Sequence, residues 1–157
     1  MSLQELDQDD LCVFIDAISE YFRQITSEDA SVRPSYLLDS EEQVGQEYTG
    51  RINITGQYRG SVYFAAPSAL LRHLLLAQGE RWHSEENMLD LVGEVANTLA
   101  GNARRYFGER FMISVPQTLR GTPDRADPFA SPRPFVIPLN WKQYNALLVV
   151  DVTTHSG

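Results

Sequence analysis

Three polar side chains recur along the segment 90–107, whose residue spacing is helical. Asp90, Glu94 and Asn97 follow one another at steps of four and three residues, and Gly101 continues the row four residues later. Side chains at such steps lie on the same side of an α-helix. A carboxylate pairs with cations, and a carboxamide has both a hydrogen-bond donor and an acceptor. The chemistry of this row would therefore be the binding and orientation of polar or charged groups.

The same row also has a plain structural interpretation, as a solvated helix face with Asp90 favourably placed near the positive helix end. Two features favour a functional role instead. Gly93 and Gly101 each cost the helix about 1 kcal/mol relative to alanine, and asparagine is a mediocre helix former. Close packing of a neighbouring helix would explain Gly93. Gly101, on the exposed side, favours the close approach of a partner backbone.

A long helix must position this row. The spacing predicts a helix over 85–107, with Ser84 as its N-cap. Its core face lies roughly opposite the polar row and consists of Leu89, Val92, Ala96, Leu99, Ala103 and Phe107. The polar row is therefore expected to face solvent.

The remaining patterns predict two further helices and six strands. The first helix covers 9–26, with Asp9 or Asp10 as N-cap, and the second covers 67–78. A turn is expected between Gly56 and Gly60. The predicted strands lie in RPSYLLD, EYTGRINITG, GSVYFAAP, RFMISVPQTLRG, FVIPLNW and YNALLVVDVT.

This order repeats a unit of one helix and three strands. It predicts an α+β fold with an antiparallel six-stranded sheet from a duplicated helix-strand-strand-strand unit, and with helices packed on one face. The chain has 157 residues, so one domain spanning 1–157 is expected. The proline-rich segment 121–134 is expected to be irregular.

Composition narrows the possible partners and the compartment. The net charge of −8 argues against nucleic acid and anionic membranes. Cys12 is the single cysteine, so no internal disulfide can form; it is expected to be a small buried hydrophobe. No signal peptide or membrane-spanning segment is visible, which favours a cytoplasmic protein.

The three histidines and two tryptophans suggest neither metal nor nucleic-acid chemistry. The histidines are scattered and do not have metal-ligand spacing. His73 is expected to be an ordinary helix residue, and His83 and His155 surface residues. Trp82 and Trp141 are expected to be core or interface anchors.

The string GEVANTLAGNARRYF resembles the central helix of the CheC/CheX/FliY phosphatases of bacterial chemotaxis, and CheX most closely. GQYRGSVYFAAPSAL and SVPQTLRG are also similar to that family, and the latter supplies its proline as Pro116. The resemblance covers about residues 45–120. There are three departures: Pro116 follows Asn97 sooner than is usual, the loop 121–134 is long and proline-rich, and Glu20 is followed three residues later by Arg23 instead of asparagine. The last departure implies one site, as in CheX.

The resemblance implies hydrolysis of the phospho-aspartate of a CheY-like response-regulator receiver domain. Asn97 would orient the attacking water, and Glu94 would pair with a lysine of the receiver. Asp90 would assist docking, and Gly101 would let the partner approach. Mg²⁺ would be supplied by the receiver, and the chain would need no cofactor or metal of its own.

The family also implies a homodimer, formed in some members by edge-strand pairing. The segment ALLVVDV is compatible with this, because it is apolar on both faces and would need cover. Two alternatives remain open. Beside the phosphatase, the first alternative is a non-catalytic module of the same fold that binds a receiver or the flagellar switch, and the second is a plain soluble domain.

Overall fold

The chain alternates between helices and strands in nearly the predicted order. A computed structural model describes residues 3–32, 36–37, 47–81, 84–121 and 134–155. The segment 122–133, and with it most of the predicted proline-rich loop, lies outside these residues. The elements are β1 (Leu3–Glu5), α1 (Gln8–Thr26), β2 (Ser31–Val32), β3 (Tyr36–Leu37), β4 (Tyr48–Gly56), β5 (Tyr58–Ala66), α2 (Ser68–Ala77), α3 (Glu85–Phe107), β6 (Phe111–Ile113), β7 (Gln117–Arg120), β8 (Phe135–Trp141) and β9 (Tyr144–His155).

The strands form one antiparallel sheet with two similar halves. Its main order is β2-β8-β9-β5-β4-β6, with β1 beside β9, β3 beside β8 and β7 beside β4. Two hairpins, β4–β5 and β8–β9, join through β5 and β9. The short strands of each half pair with the hairpin of the other half. This reciprocal pairing of the two halves agrees with the predicted duplication, and the α+β fold class is confirmed.

The helices cover one face of this sheet because alternate strand residues supply an apolar surface there. Ile52, Val62 and Leu148 are fully buried on that face, where they join the core with helix residues such as Phe14 and Leu99. The opposite face has a smaller apolar cluster, composed of Tyr63, Val136 and Val149 with partly buried Leu147. The main core therefore lies between sheet and helices.

The number of strands differs from the prediction. The described residues contain nine strands, because β1 and β2 are too short to give an alternating pattern and one predicted strand is divided. RFMISVPQTLRG forms β6 and β7, which both pair with β4. Ile113 lies opposite Ile54 and Gln117 opposite Arg51, so three residues face two on β4. This is a β-bulge, and its third residue, Pro116, has no N–H to donate to the sheet.

Two local predictions in the first half are wrong, and a third is confirmed. The N-cap of α1 is Asp7, whose Oδ1 accepts a hydrogen bond from the Asp10 backbone N–H at 2.8 Å, so the helix begins earlier than expected. The turn of the first hairpin agrees with the prediction, because Ile54 opposite Gly60 is the last pair of β4 with β5 and residues 55–59 connect the two. Cys12 is exposed, because it lies beside the apolar stripe of α1 and not within it.

The segment ALLVVDV, whose sequence is compatible with edge-strand pairing between two copies, does not lie at an edge of the sheet. This segment belongs to β9, which pairs with β8 on one side and with β5 on the other. It is apolar on both faces, as predicted, because Leu148 and Val150 face the helices and Val149 joins the smaller cluster. Within the described residues, the outer strands are instead the short ones.

Candidate functional site

The helix that carries the polar row has the predicted boundaries. Ser84 is its N-cap, and the Ser84 side chain accepts a hydrogen bond from the Asn87 backbone N–H at 3.0 Å. The helix ends at Phe107, before Gly108. Six turns of helix thus position the row relative to the sheet.

The polar row faces solvent, as its spacing predicts. Asp90, Glu94 and Asn97 are exposed, and Gly101 is half-buried. On the other side of α3, four of the six predicted core residues are buried, and Leu89 and Phe107 are partly buried against the core. Glu94 and Asn97 are separated by three residues, which is about 4.5 Å along the helix axis. Their side chains can therefore act together on one partner.

One wall beside the row comes from the end of the bulge. Asp90, Gly93, Glu94, Asn97, Pro116 and Thr118 line an open groove, here called the site groove. A Cβ at Gly93 would lie 2.8 Å from Cγ2 of Thr118 and 3.3 Å from Cβ of Pro116. The close packing expected at Gly93 is thus against β7 and the residue before it, and not against a helix.

The other side of Glu94 faces the end of α2. Leu75, Gln78, Glu80, Asn87, Asp90, Leu91 and Glu94 line a second, smaller depression. Gln78 donates a hydrogen bond from Nε2 to the Tyr21 hydroxyl at 3.4 Å. Burial raises the pKa of the Tyr21 phenol, and the negative charge of Glu94 raises it further. Tyr21, from α1, thus lies within electrostatic reach of Glu94 and stays protonated at neutral pH.

The row continues toward the C-terminal end of α3. In the described part of the chain, a Cβ at Gly101 would have no neighbour within 4 Å, so Gly101 leaves open space beside the row. Gly101, Arg104, Arg105, Gly108, Glu109 and Ile113 line a further open groove, here called the basic groove. The two grooves lie along the same side of the helix.

The other candidate positions do not form a second site. Arg23 binds Glu20 at 3.1 Å and Asp29 at 3.1 Å, so the first helix carries an ion-pair cluster where an asparagine would be needed. His73 is a helix residue in ring contact with Trp141 and Tyr144, and Trp141 is a buried core residue, as predicted. Trp82 and His83, and the side chain of His155, lie outside the described residues.

The described part of the chain lacks a metal-ligand cluster and a membrane-spanning helix. It contains no group of three or more histidine, cysteine, aspartate or glutamate residues that could hold a metal ion. None of its helices combines the length and the apolar character that a membrane span requires.

Sequence reasoning found the row but missed its surroundings. Tyr21 comes from α1, Gln78 follows the end of α2, and Thr118 comes from a strand that pairs with β4. The available signal for Tyr21 was its position on the apolar stripe of α1, where a buried hydroxyl requires a partner. Contacts with Thr118 carry no comparable local signal.

Known structures share this architecture. CheX from Vibrio vulnificus is 21% identical, with a TM-score of 0.78 over 92% of this chain and 99% of that one. A CheC-like superfamily protein from Shewanella sp. PV-4 is 18% identical, with a TM-score of 0.79 over 94% of this chain and 99% of that one. A complex from Borrelia burgdorferi is described as CheX-CheY-BeF3-Mg+2. Its matching chain is 16% identical, with a TM-score of 0.72 over 93% of this chain and 99% of that one.

These structural likenesses establish the shared fold. A comparison with curated proteins finds no match. The family model described as chemotaxis phosphatase CheX matches residues 48–140, which include the hairpin β4–β5, all of α3 and the bulge before β7. The chain belongs to the chemotaxis phosphatase CheX family.

Proposed function

We propose that the chain accelerates hydrolysis of the phospho-aspartate of a CheY-like receiver domain. The observation that carries this proposal is the joint exposure of Glu94 and Asn97 on one side of α3, beside an open groove. A side chain that must enter another protein's phosphorylation pocket has to project from a rigid element into solvent. Membership of the CheX family and the relative in complex with CheY support the same partner class.

The proposed chemistry requires very little from this chain. An acyl phosphate is already activated, and the phosphoryl group needs a water molecule in line with the bond to be broken. The Asn97 carboxamide orients that water, because it is neutral and has both a donor and an acceptor. Water attacks phosphorus, the bond to the aspartate oxygen breaks, and the products are inorganic phosphate and a free carboxylate. No covalent intermediate forms on this chain.

Glu94 has a different role in this proposal. Its carboxylate pairs with the lysine of the receiver and thereby orients the partner so that Asn97 enters the pocket. Asp90 assists docking one turn earlier, and Gly101 leaves room for the partner. The receiver supplies Mg²⁺, in line with the presence of Mg²⁺ and BeF3 in the Borrelia burgdorferi complex, where a beryllofluoride is a chemical analogue of a phosphoryl group.

Two properties of the whole protein belong to the same proposal. Receiver domains act in the cytoplasm, and we place this chain there with them. We also propose that the chain forms a homodimer, as the family resemblance predicts.

The decisive experiment compares the wild-type chain with Asn97→Ala. A phosphorylated CheY-type receiver from the same cell is mixed with each protein, and phosphate release is followed over time. We expect Asn97→Ala to lose about 100-fold or more of the acceleration, since the water is no longer held in line. Binding to a beryllofluoride-loaded receiver should persist. Alanine is the better helix former, so α3 should stay intact.

Asn102→Ala is the matched control, because it makes the same substitution on the same helix away from the row. It should leave phosphate release unchanged. A wild-type chain that binds the receiver without shortening the phosphoryl lifetime would show the non-catalytic module instead. Absence of both binding and hydrolysis with every receiver of the cell would refute both functions.

A further inference from the structure

The charge of the exposed side of α3 changes sign along its length. Asp90, Asn97 and Arg104 are spaced by seven residues, so successive members lie about 10.5 Å apart and within about 20° of one line on the helix surface. Arg105 lies beside Arg104 and borders the same basic groove. The carboxylates of the row are therefore on the N-terminal side of Asn97, and two guanidinium groups are on its C-terminal side.

These two arginines are exposed and unpaired. Within the described ranges, neither Arg104 nor Arg105 has a carboxylate within ion-pair distance, although Glu109 borders the same groove. Some other surface cations do have partners: Arg120 binds Glu85 at 3.0 Å, and Lys142 binds Glu28 at 3.1 Å. In a chain with a net charge of −8, two adjacent free guanidinium groups form a distinct local patch.

The second wall of this surface contains an exposed apolar residue. Ile113 borders the basic groove and Pro116 borders the site groove, and the bulge between them contains Val115. The Val115 side chain is 78% exposed, the largest exposure among the large hydrophobic residues of the described chain. Arginine is enriched in protein interfaces, and an exposed apolar residue near the same surface offers a partner additional contact area.

We propose that Arg104, Arg105 and Val115 form the second half of the receiver-docking surface. In this arrangement, Arg104 and Arg105 bind acidic side chains of the receiver about 10 Å from its phosphorylated aspartate, and Val115 makes an apolar contact. Cations of the receiver face Glu94, and its anions face the arginines. A receiver turned end for end would bring like charges together, so this polarity selects one docking orientation. The inference rests on the proposed function and names its specificity-determining residues.

The arginines also have a local structural effect, which the test must separate from docking. Arg104 and Arg105 lie in the last turn of α3, where positive charge stabilises the negative end of the helix dipole. That effect changes the free energy of unfolding and leaves KM for a protein partner unchanged. A role in docking changes KM and its dependence on salt.

The test uses the double variant Arg104→Glu/Arg105→Glu and a phosphorylated receiver. We expect KM to rise about tenfold or more while kcat changes less than about twofold, because rim charges act on association and not on the bound water. KM of the double variant should also lose much of its dependence on ionic strength. Arg104→Lys/Arg105→Lys retains both charges and should keep KM within a few-fold of the wild-type value.

Arg72→Glu is the control for a general effect of net charge, because Arg72 is exposed on α2 and borders neither groove. Arg104→Gln/Arg105→Gln is a milder variant, to be used if the double reversal lowers thermal stability. A wild-type KM in both the glutamate and the glutamine double variants, or an equal rise in Arg72→Glu, would overturn this inference. If the wild-type chain lacks phosphatase activity, the proposed function fails, and the Kd for the beryllofluoride-loaded receiver tests the docking surface with the same variants.

Discussion

At the scale of single residues, the exposed carboxylate of Glu94 gives the sharpest test of docking. Glu94→Gln preserves the shape of the side chain and removes its charge. We expect KM for the phosphorylated receiver to rise about tenfold, equivalent to about 1.4 kcal/mol, with kcat nearly unchanged. The loss of activity should therefore be greatest at low receiver concentration. Initial rates of phosphate release over a range of receiver concentrations provide the measurement.

Asp16→Asn on the exposed side of α1 is the matched control, because it removes one carboxylate that lines neither groove. It should leave KM at the wild-type value. A fall in kcat at constant KM for Glu94→Gln would contradict the docking role and place Glu94 with Asn97 in the chemical step.

The exposure of single residues on α3 could be predicted from sequence, since the helical period fixes which positions share a side. The period assigns Glu94 and Asn97 to the exposed side and Leu99 to the core. It contains no information about Tyr21 or Thr118, which approach α3 from segments distant in sequence. Those neighbours follow only from the packing of α1 and β7 around the helix.

At the scale of the helix, the two interior glycines of α3 make a matched pair with opposite expected effects on stability. Gly93→Ala should lower the free energy of unfolding by about 1–3 kcal/mol, because its Cβ would press on Thr118 and Pro116, which are stiff residues. Gly101→Ala should raise it by up to about 1 kcal/mol, because its Cβ meets open space. Urea unfolding of each variant supplies both values.

The same two positions also distinguish a glycine needed for packing, at Gly93, from a glycine needed for docking, at Gly101. Gly101→Leu should fold normally and raise KM for the receiver, because its side chain would occupy the space left for the partner. A normal KM for Gly101→Leu would show that this glycine does not serve docking. Equal stability effects of alanine at positions 93 and 101 would contradict the packing difference described above.

The long elements were predictable, and the interruptions were not. Ser84 and the apolar stripe of α3 define that helix in the sequence, and alternation defines β4. The bulge before β7 depends on which residues of β4 face Ile113 and Gln117, a register that no local pattern specifies. Pro116 indicated only that the strand could not pass through that position unchanged.

At the scale of the whole molecule, the duplicated unit predicted the content of the sheet but not its pairing. Each half of the sheet takes its outer strands from the other half of the chain, so the order β2-β8-β9-β5-β4-β6 is set by long-range contacts. The segment ALLVVDV shows how far strand pairing can be predicted from sequence. Its two apolar faces were evident, and its place at the centre of the sheet depends on β5 and β8 together.

The homodimer is the prediction that concerns the molecule as a whole. The outer strands among the described residues are short: β2 and β3 have two residues each, β6 has three and β7 has four. Pairing through such edges would add few hydrogen bonds, so a dimer built on them should dissociate on dilution. Light scattering should give a mass near twice 17.7 kDa at high concentration and a lower mass at low concentration.

Dissociation should leave phosphatase activity per chain unchanged, because α3, the bulge and both grooves come from one chain. The specific activity measured over the same dilution series tests this point. A mass of 17.7 kDa at every concentration would refute the homodimer. Activity that falls together with the mass would mean that the second copy contributes a residue to the site. The assignment of docking to Glu94 and of water positioning to Asn97 of a single chain would then be incomplete.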